Sequence, residues 1–312
     1  MNDPTVLILL ATYNGEEYIC QLLDSLLVQD YPSVRIVVSD DGSSDRTANI
    51  LDRYTAAHPA LIAHYRSGMR FGNAKQHFIH LLSVFHDAPY IMFCDQDDIW
   101  HPDKISKTIR CMQQVETSCE VPALVHTDLR VVGKNLELIN PSFCAHSGLD
   151  GNRLALNQLL VQNVVTGCTC MINGALAKLA AQMPYQERMM MHDWWLALIA
   201  SACGNTGFLN EPTIDYRQHG NNSVGAKNVH SISYLMNRLR SKPMRKSLQS
   251  AADQADAFFS SYHDVLTDDQ IQLLKAFIAT RDQGLVRRDI TFVKYGLLKS
   301  GTIRKLAQLL GL

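Results

Sequence analysis

Five aspartates fall into two short clusters whose surroundings suit cation chemistry. Asp40 and Asp41 lie in SDDGSSD, and Asp95, Asp97 and Asp98 lie in CDQDDIW. Crowded carboxylates repel one another unless a cation or hydrogen-bond donors offset the charge. Oxygen ligands of this kind suit a hard divalent ion, Mg²⁺ or Mn²⁺, which commonly also holds substrate phosphates. Each cluster has a plainer reading too, since Asp, Gly and Ser favour turns and helix N-caps and acidic residues favour a helix start. The chain contains neither GxGxxG nor GxxxxGK[ST], the loops that cradle phosphates with backbone N–H groups. A metal-bridged diphosphate is the better fit.

These clusters have to be positioned by strands and helices. Val6–Ala11 is an apolar run of strand length, and Ile19, Leu22, Leu23, Leu26 and Leu27 share one helix face. A strand over Val34–Val38 leads into SDDGSSD, and a helix follows to Ala57. Further strands are expected at Leu61–Tyr65, Tyr90–Cys94 and Ala123–Val132, with helices over Ala74–Phe85 and from Pro102 to Val115. Such alternation implies a layered α/β sheet with right-handed crossovers. Asp40–Asp41 and Asp95–Asp98 each follow a strand directly, so parallel neighbours would bring both to one rim. Residues 150–226 are less regular, with one clear helix at Trp194–Ala202, and residues 228–312 read as helices.

The composition excludes several classes. Of 312 residues, 46% are hydrophobic and 19% charged, which is wrong for a disordered chain. A formal net charge of −1 gives no reason to expect nucleic acid as a partner. The charge is unevenly spread, however: residues 1–226 hold 15 Lys and Arg against 23 Asp and Glu, and residues 227–312 hold 14 against 7. The eight cysteines form no CxxC pair and read as reduced core residues of a cytoplasmic protein. MNDPTVLILLATYN has no basic leader, and the uncharged stretch Leu154–Ala177 is broken by Asn and Gln. Neither a signal peptide nor a membrane span is expected.

ATYNGEEYI (11–19), VVSDDGSSDRT (37–47) and MFCDQDDIW (92–100) resemble the signature blocks of glycosyltransferase family 2, inverting enzymes with a GT-A type nucleotide-sugar fold. MHDWWLALIA (191–200) and YRQHGNNSVG (216–225) resemble a rhamnosyltransferase-like branch that builds bacterial surface polysaccharides such as O-antigen. The resemblance implies that Thr12, Tyr13 and Glu16 line the nucleotide pocket. Asp40 or Asp41, with Asp41 favoured, would accept the N3–H of a pyrimidine base. Asp95 would sit near the ribose, Asp97 on the metal, and Arg217 and His219 near the diphosphate or metal.

In the same resemblance Asp193 is the general base that deprotonates the acceptor hydroxyl, with attack opposite the leaving group inverting the anomeric centre. Asp193 also stands just before an apolar helical run, where an N-cap belongs. Trp194 and Trp195 are candidates for stacking on the acceptor sugar, with core packing as the alternative. His192 reads as a structural or hydrogen-bonding neighbour of the base. His77 stands where the family often has Asn, so no role is carried to it.

The expected architecture is therefore a GT-A type α/β fold with a mixed, mostly parallel sheet flanked by helices. Residues 1–226 would form the catalytic domain, with about 1–120 binding the nucleotide-sugar and about 121–226 facing the acceptor. Residues 227–312 would form a basic helical extension. The expected donor is dTDP-L-rhamnose, with a UDP-sugar next, and the acceptor a lipid-linked saccharide. YLMNRLRSKPMRKSL (234–248) and ITFVKYGLLKSGTIRKLAQLLGL (290–312) mix basic and apolar residues, a composition suited to peripheral helices on an anionic membrane surface at the inner face. Packing on the catalytic domain or a dimer contact would use the same residues. Two other classes compete: a sugar nucleotidyltransferase, which usually carries a Gly-rich basic N-terminal loop unlike ATYNGEEY, and a non-catalytic nucleotide-sugar-binding component of a polysaccharide assembly complex.

Overall fold

Val6–Thr12 forms the first strand, β1, with every residue buried. Alternate residues serve opposite faces of the sheet: Leu7, Leu9 and Ala11 enter one core, and Val6, Ile8 and Leu10 enter the other. A strand covered on both sides needs apolar residues at every position, which explains the unbroken run. The computed structural model describes residues 3–182, 186–219 and 242–310.

After β1 come α1 (Ile19–Leu27), β2 (Val34–Asp40), α2 (Thr47–Ala57), β3 (Ile62–Tyr65), α3 (Ala74–Val84), β4 (Tyr90–Asp95), β5 (Ile99–Trp100), α4 (Lys104–Val115) and β6 (Ala123–Val132). Next are β7 (Leu138–Asn140), α5 (Phe143–His146), α6 (Leu156–Val161), β8 (Met171–Asn173), α7 (Gly174–Ala181), α8 (His192–Cys203) and β9 (Asn205–Arg217). The region expected to be irregular thus supplies two more strands. Among the described residues one sheet has the order β3-β2-β1-β4-β8-β6-β9-β5, with β7 paired on β6. The first four strands are parallel, β8 is antiparallel to both β4 and β6, and β9 is parallel to β6.

Because β1 lies between β2 and β4, Asp40 is level with Thr12 and Asp95 is level with Ala11. The two acidic clusters share the rim at the carboxyl ends of the parallel strands, where ligands bind in open α/β sheets.

The C-terminal helices are α9 (Lys242–Tyr262), α10 (Asp268–Ala279), α11 (Leu285–Lys294) and α12 (Thr302–Leu309). They pack on the sheet-bearing part of the chain. Leu248, Ala251, Ala252, Ala255 and Phe258 of α9 join the same core as Trp195 of α8. Polar ties add to this contact: Asn157 Nδ2 donates to Tyr295 O at 3.0 Å, Ser300 N donates to Gln162 Oε1 at 2.7 Å, and Arg304 donates to the carbonyls of Ser147 and Gly148.

Helices α11 and α12 bury a polar side, with Arg288, Arg304 and Gln308 inside. Their exposed residues include Leu285, Val286, Ile290, Val293, Ile303 and Leu306. The expected boundary at 226/227 and most of the basic segment 234–248 lie outside the described residues. All eight cysteines are free; Cys94, Cys168 and Cys170 are buried, whereas Cys119 is exposed. No helix among the described residues is long and apolar enough to cross a membrane.

Candidate active site

A cavity of about 950 Å³ opens at the rim of β1, β2 and β4, a size suited to a small organic ligand. Asp41 follows β2, and its N–H donates to Thr12 O of β1. Its carboxylate accepts from Phe71 N at 2.5 Å and Gly72 N at 2.8 Å, so it anchors the loop leading into α3. Gly42 adopts φ +75°, and a Cβ there would meet the Arg70 side chain at 2.6 Å. That turn requires glycine. Phe71 stacks on His77 with ring centroids 4.7 Å apart, and His77 Nε2 lies 2.8 Å from Ser39 Oγ. Burial holds the His77 pKa below the usual imidazole range.

Gln96, between Asp95 and Asp97, fastens the second cluster to β1. Its Oε1 accepts from Thr12 Oγ1 at 2.7 Å and Tyr13 N at 2.8 Å, and its Nε2 donates to Tyr13 O at 3.0 Å. Asp97 Oδ2 lies 2.7 Å from His219 Nε2, and the His219 ring rests 5.0 Å from that of Tyr18. Burial, then the carboxylates of Asp97 and Asp193, push the Asp95 carboxyl well above the usual range. Asp98 is fully buried behind them, with Oδ2 unpartnered. Burial, then the carboxylates of Asp97 and Asp95, push its carboxyl well above the usual range.

Asp193 closes the far side of the cavity from the first turn of α8, whose N-cap is Met191. Asp193 Oδ1 accepts from Trp194 N at 2.5 Å and Asn163 Nδ2 at 3.2 Å. Asn163 also bonds both the N–H and the carbonyl of Val165, fixing that loop against Asp193. A Cβ at Gly167 would lie 3.6 Å from Asp193 Oδ2, so a glycine keeps open the space before that oxygen. Burial raises the Asp193 pKa to about 6, against the lowering effect of the Trp194 and Gly167 N–H groups. Such a carboxylate is ionised at neutral pH and is still basic enough to take a proton.

Residues 7–173, more than half of the chain, match the family described as Glycosyl transferase family 2. The chain belongs to that family. It is 30% identical over 260 residues to the dTDP-rhamnosyl transferase RfbG of Shigella flexneri, spanning 78% of this chain and 83% of that one. Among solved structures, S. aureus TarS 1-349 in complex with UDP-GlcNAc is similar with a TM-score of 0.55 and 16% identity, over 98% of this chain and 89% of that one. The mannosyltransferase PcManGT from Pyrobaculum calidifontis, in complex with GDP-Man and Mn²⁺, has a TM-score of 0.51 and 15% identity, over 99% and 88%. The fold is of GT-A type, a curled mixed sheet with flanking helices.

Family 2 implies a divalent cation, and the residues at this rim fit one. Asp97 and His219 converge at the cavity with Asp95 nearby; the carboxylates suit Mg²⁺ or Mn²⁺, and the imidazole favours Mn²⁺ of the two. Ligand atoms of Asp95, Asp98 and Cys168 also lie within 4.8 Å of one another. Burial pushes the Asp98 carboxyl and the Cys168 thiol upward, and both lie behind the cavity lining.

The structure separates the residues that the family blocks single out. Thr12, Tyr13, Asp41, Asp95, Asp97, Asp193 and His219 line the cavity together. Glu16, Asp40, Arg217, Trp194 and Trp195 stand outside its lining. Glu16 is turned toward α2, where Oε2 accepts from Arg46 N at 2.9 Å and Nε at 3.1 Å. Asp40 closes a turn by accepting from Ser43 N at 2.8 Å and Ser43 Oγ at 2.5 Å.

Arg217 is buried and works on backbone and structure rather than at the cavity. Its Nε donates to Asp97 O at 2.9 Å, Nη1 to Lys134 O at 2.5 Å and Nη2 to Gln21 Oε1 at 2.7 Å. Every residue of α8 from His192 to Ala200 is buried, which sends both tryptophans into the core. Trp194 Nε1 donates to Leu159 O at 2.7 Å, and Trp195 packs edge-on against Phe258 of α9. The block 216–225 continues past His219 outside the described residues.

The cavity also holds residues that the motif blocks did not single out: Glu17, Arg70, Lys134, Asn163 and Gly167. Glu17 and Lys134 pair at 2.7 Å across the mouth. Asn163 had a visible signal, as one of the polar residues breaking the apolar stretch 154–177.

Proposed function

We propose that this family 2 member is an inverting, cation-dependent hexosyltransferase. It moves a sugar from a nucleoside diphosphate, dTDP-L-rhamnose first and a UDP-sugar next, to a lipid-linked saccharide of a bacterial surface polysaccharide such as O-antigen. One observation carries this reading: a single cavity is lined at one side by Asp41 and the Asp97–His219 pair and at the other by Asp193. Likeness to a dTDP-rhamnosyl transferase over most of both chains supports the donor.

In the proposed reaction Asp193 Oδ2 takes the proton of the acceptor hydroxyl. The acceptor oxygen forms its bond to the anomeric carbon from the side opposite the diphosphate. The old carbon–oxygen bond breaks, its electron pair leaves on the diphosphate, and the configuration inverts without an enzyme-bound sugar. A cation held by Asp97 and His219, with Asp95 beside them, would supply Lewis-acid stabilisation of the departing diphosphate. Asp41 and the loop it anchors face the base, and Tyr13, half exposed at the mouth, offers a ring for stacking.

A peripheral position on an anionic membrane at the inner face fits a lipid-linked acceptor. The exposed apolar residues of α11 and α12, with exposed Arg287, Lys294 and Lys305 among them, suit a surface-lying amphipathic face. Charge reversal of Arg287, Lys294 and Lys305 together with Ile290→Ser should abolish co-sedimentation with anionic liposomes at moderate salt; unchanged binding would refute the membrane reading. For the reaction, nucleotide release is measured across a donor panel, with and without EDTA, using lipid-extract acceptors. Acceptor-stimulated release with one dTDP- or UDP-sugar that EDTA abolishes is expected. Release of pyrophosphate from a nucleoside triphosphate would instead favour a nucleotidyltransferase.

A further inference from the structure

His192 opens α8 beside Asp193, is 3% exposed, and has no hydrogen-bond partner at either Nδ1 or Nε2. Its ring lies against Phe78, with centroids 4.6 Å apart, and Phe93, at 5.2 Å. Burying polar atoms without partners is costly, and a phenylalanine would pack against these two rings without that cost. The helix does not need the imidazole, because the backbone bond from Trp195 N to Met191 O starts the turn. A buried imidazole whose two nitrogens lack partners, at a place where a phenylalanine would pack equally well, points to a ligand.

The surroundings indicate which ligand. His192 lines the cavity together with Asp193 and Gly167. A Cβ at Gly167 would lie 3.0 Å from His192 Nε2 and 3.6 Å from Asp193 Oδ2. Gly167 therefore packs closely on an imidazole nitrogen and stands beside a carboxylate oxygen, in one wall of the cavity. Burial lowers the His192 pKa to about 3, so the ring is neutral, with one nitrogen donating and the other accepting. That pairing suits a hydroxyl group. Phe78, Val164, Val165 and Met191 line the same cavity and offer apolar contact to the C–H face of a pyranose. The deep position of His192 belongs to the sugar that enters with the nucleotide, since an acceptor has only to bring one hydroxyl to Asp193.

We propose that His192 is a sugar-positioning residue, whose Nε2 holds a hydroxyl of the transferred sugar across Gly167 from Asp193. The Asp193 carboxylate across Gly167 selects an uncharged hexose and disfavours a uronic acid. This inference rests on the glycosyl-transfer reading of the same cavity.

The test compares wild type, His192→Phe and His192→Gln by calorimetric titration with Mn²⁺ present. The ligands are UDP and dTDP, their neutral-hexose conjugates, and UDP-glucuronic acid. In wild type one neutral conjugate should bind at least tenfold more tightly than its bare diphosphate, and UDP-glucuronic acid no more tightly than UDP. In His192→Phe the sugar advantage should vanish while affinity for the bare diphosphate stays within twofold, and the melting temperature should equal or exceed that of wild type. Gln, which carries an amide near the Nε2 position, should restore part of the advantage.

A full sugar advantage in His192→Phe, an equal loss for both ligands, or a change confined to the acceptor KM would each overturn the inference. If no nucleotide-sugar binds wild type, the glycosyl-transfer reading falls and takes this inference with it. If wild type binds a sugar-nucleotide and His192→Phe binds it equally well, only this inference falls.

Discussion

At one side of the cavity the carboxylates stand at the ends of parallel strands and are tied down by hydrogen bonds; Asp41 holds two backbone N–H groups and Gln96 locks the loop between Asp95 and Asp97 to β1. At the other side Asp193 and His192 project from a helix buried along its length. Only one Asp193 oxygen is engaged by Trp194 and Asn163, and His192 has no partner. The first side is set by sheet register and by hydrogen bonds made within the protein itself. The second leaves polar atoms unmet, and those are the atoms available for chemistry.

Removing the proton-accepting carboxylate should have the largest effect. Asp193→Asn keeps the shape but cannot take a proton, so transfer should fall by about 10³-fold, while nucleotide affinity by calorimetry stays within twofold. A comparable loss of nucleotide affinity would erase the distinction between the two sides. Asp97→Ala should lower transfer by roughly 10²-fold, and Mg²⁺ or Mn²⁺ should no longer strengthen nucleotide binding. Persisting cation dependence would move the cation away from the strand-end side.

The pH profile sharpens the same contrast. In the proposed reaction Asp193 acts in its ionised form, and burial raises its pKa to about 6. The kcat/KM for transfer should therefore rise tenfold per unit below about pH 6 and level off above it; Asp193→Glu should shift that limb, whereas Asp41→Asn should not. A limb unmoved by Asp193→Glu would assign the proton to another group. Glu16→Ala should do least, leaving transfer within twofold, because Glu16 bonds Arg46 rather than ligand. A tenfold loss there would return Glu16 to the nucleotide pocket.

Much of the fold could be read from residue order. β1, β2, β3, β4 and β6 open on or contain apolar runs and the helices between them repeat with a 3.6-residue period, so their bounds emerge within two residues, whereas the two-residue β5 carries no pattern of its own. β9 escaped notice because NTGFLNEPTIDYR mixes polar, charged and proline residues, and its pairing with β6 has two register shifts. It is held by long-range pairing rather than by its own pattern. The acidic residues of the cavity were legible as types at strand ends. Which way a side chain turns was not, since Arg46 thirty residues away decides it for Glu16, and α9 decides it for Trp195. Arg217 illustrates the limit further: its partners lie on α1, on the loop after β4 and on the turn after β6, a meeting that no local pattern encodes.

The Asp41 carboxylate carries one more consequence. By accepting the N–H groups of Phe71 and Gly72, it fixes a loop of the cavity wall while the protein folds. The entropy lost in ordering that loop then falls on folding rather than on capture of the donor. Nucleotide association should accordingly be a single fast step at a preformed wall, and slower ordering, where it occurs, belongs to later encounters in the catalytic cycle.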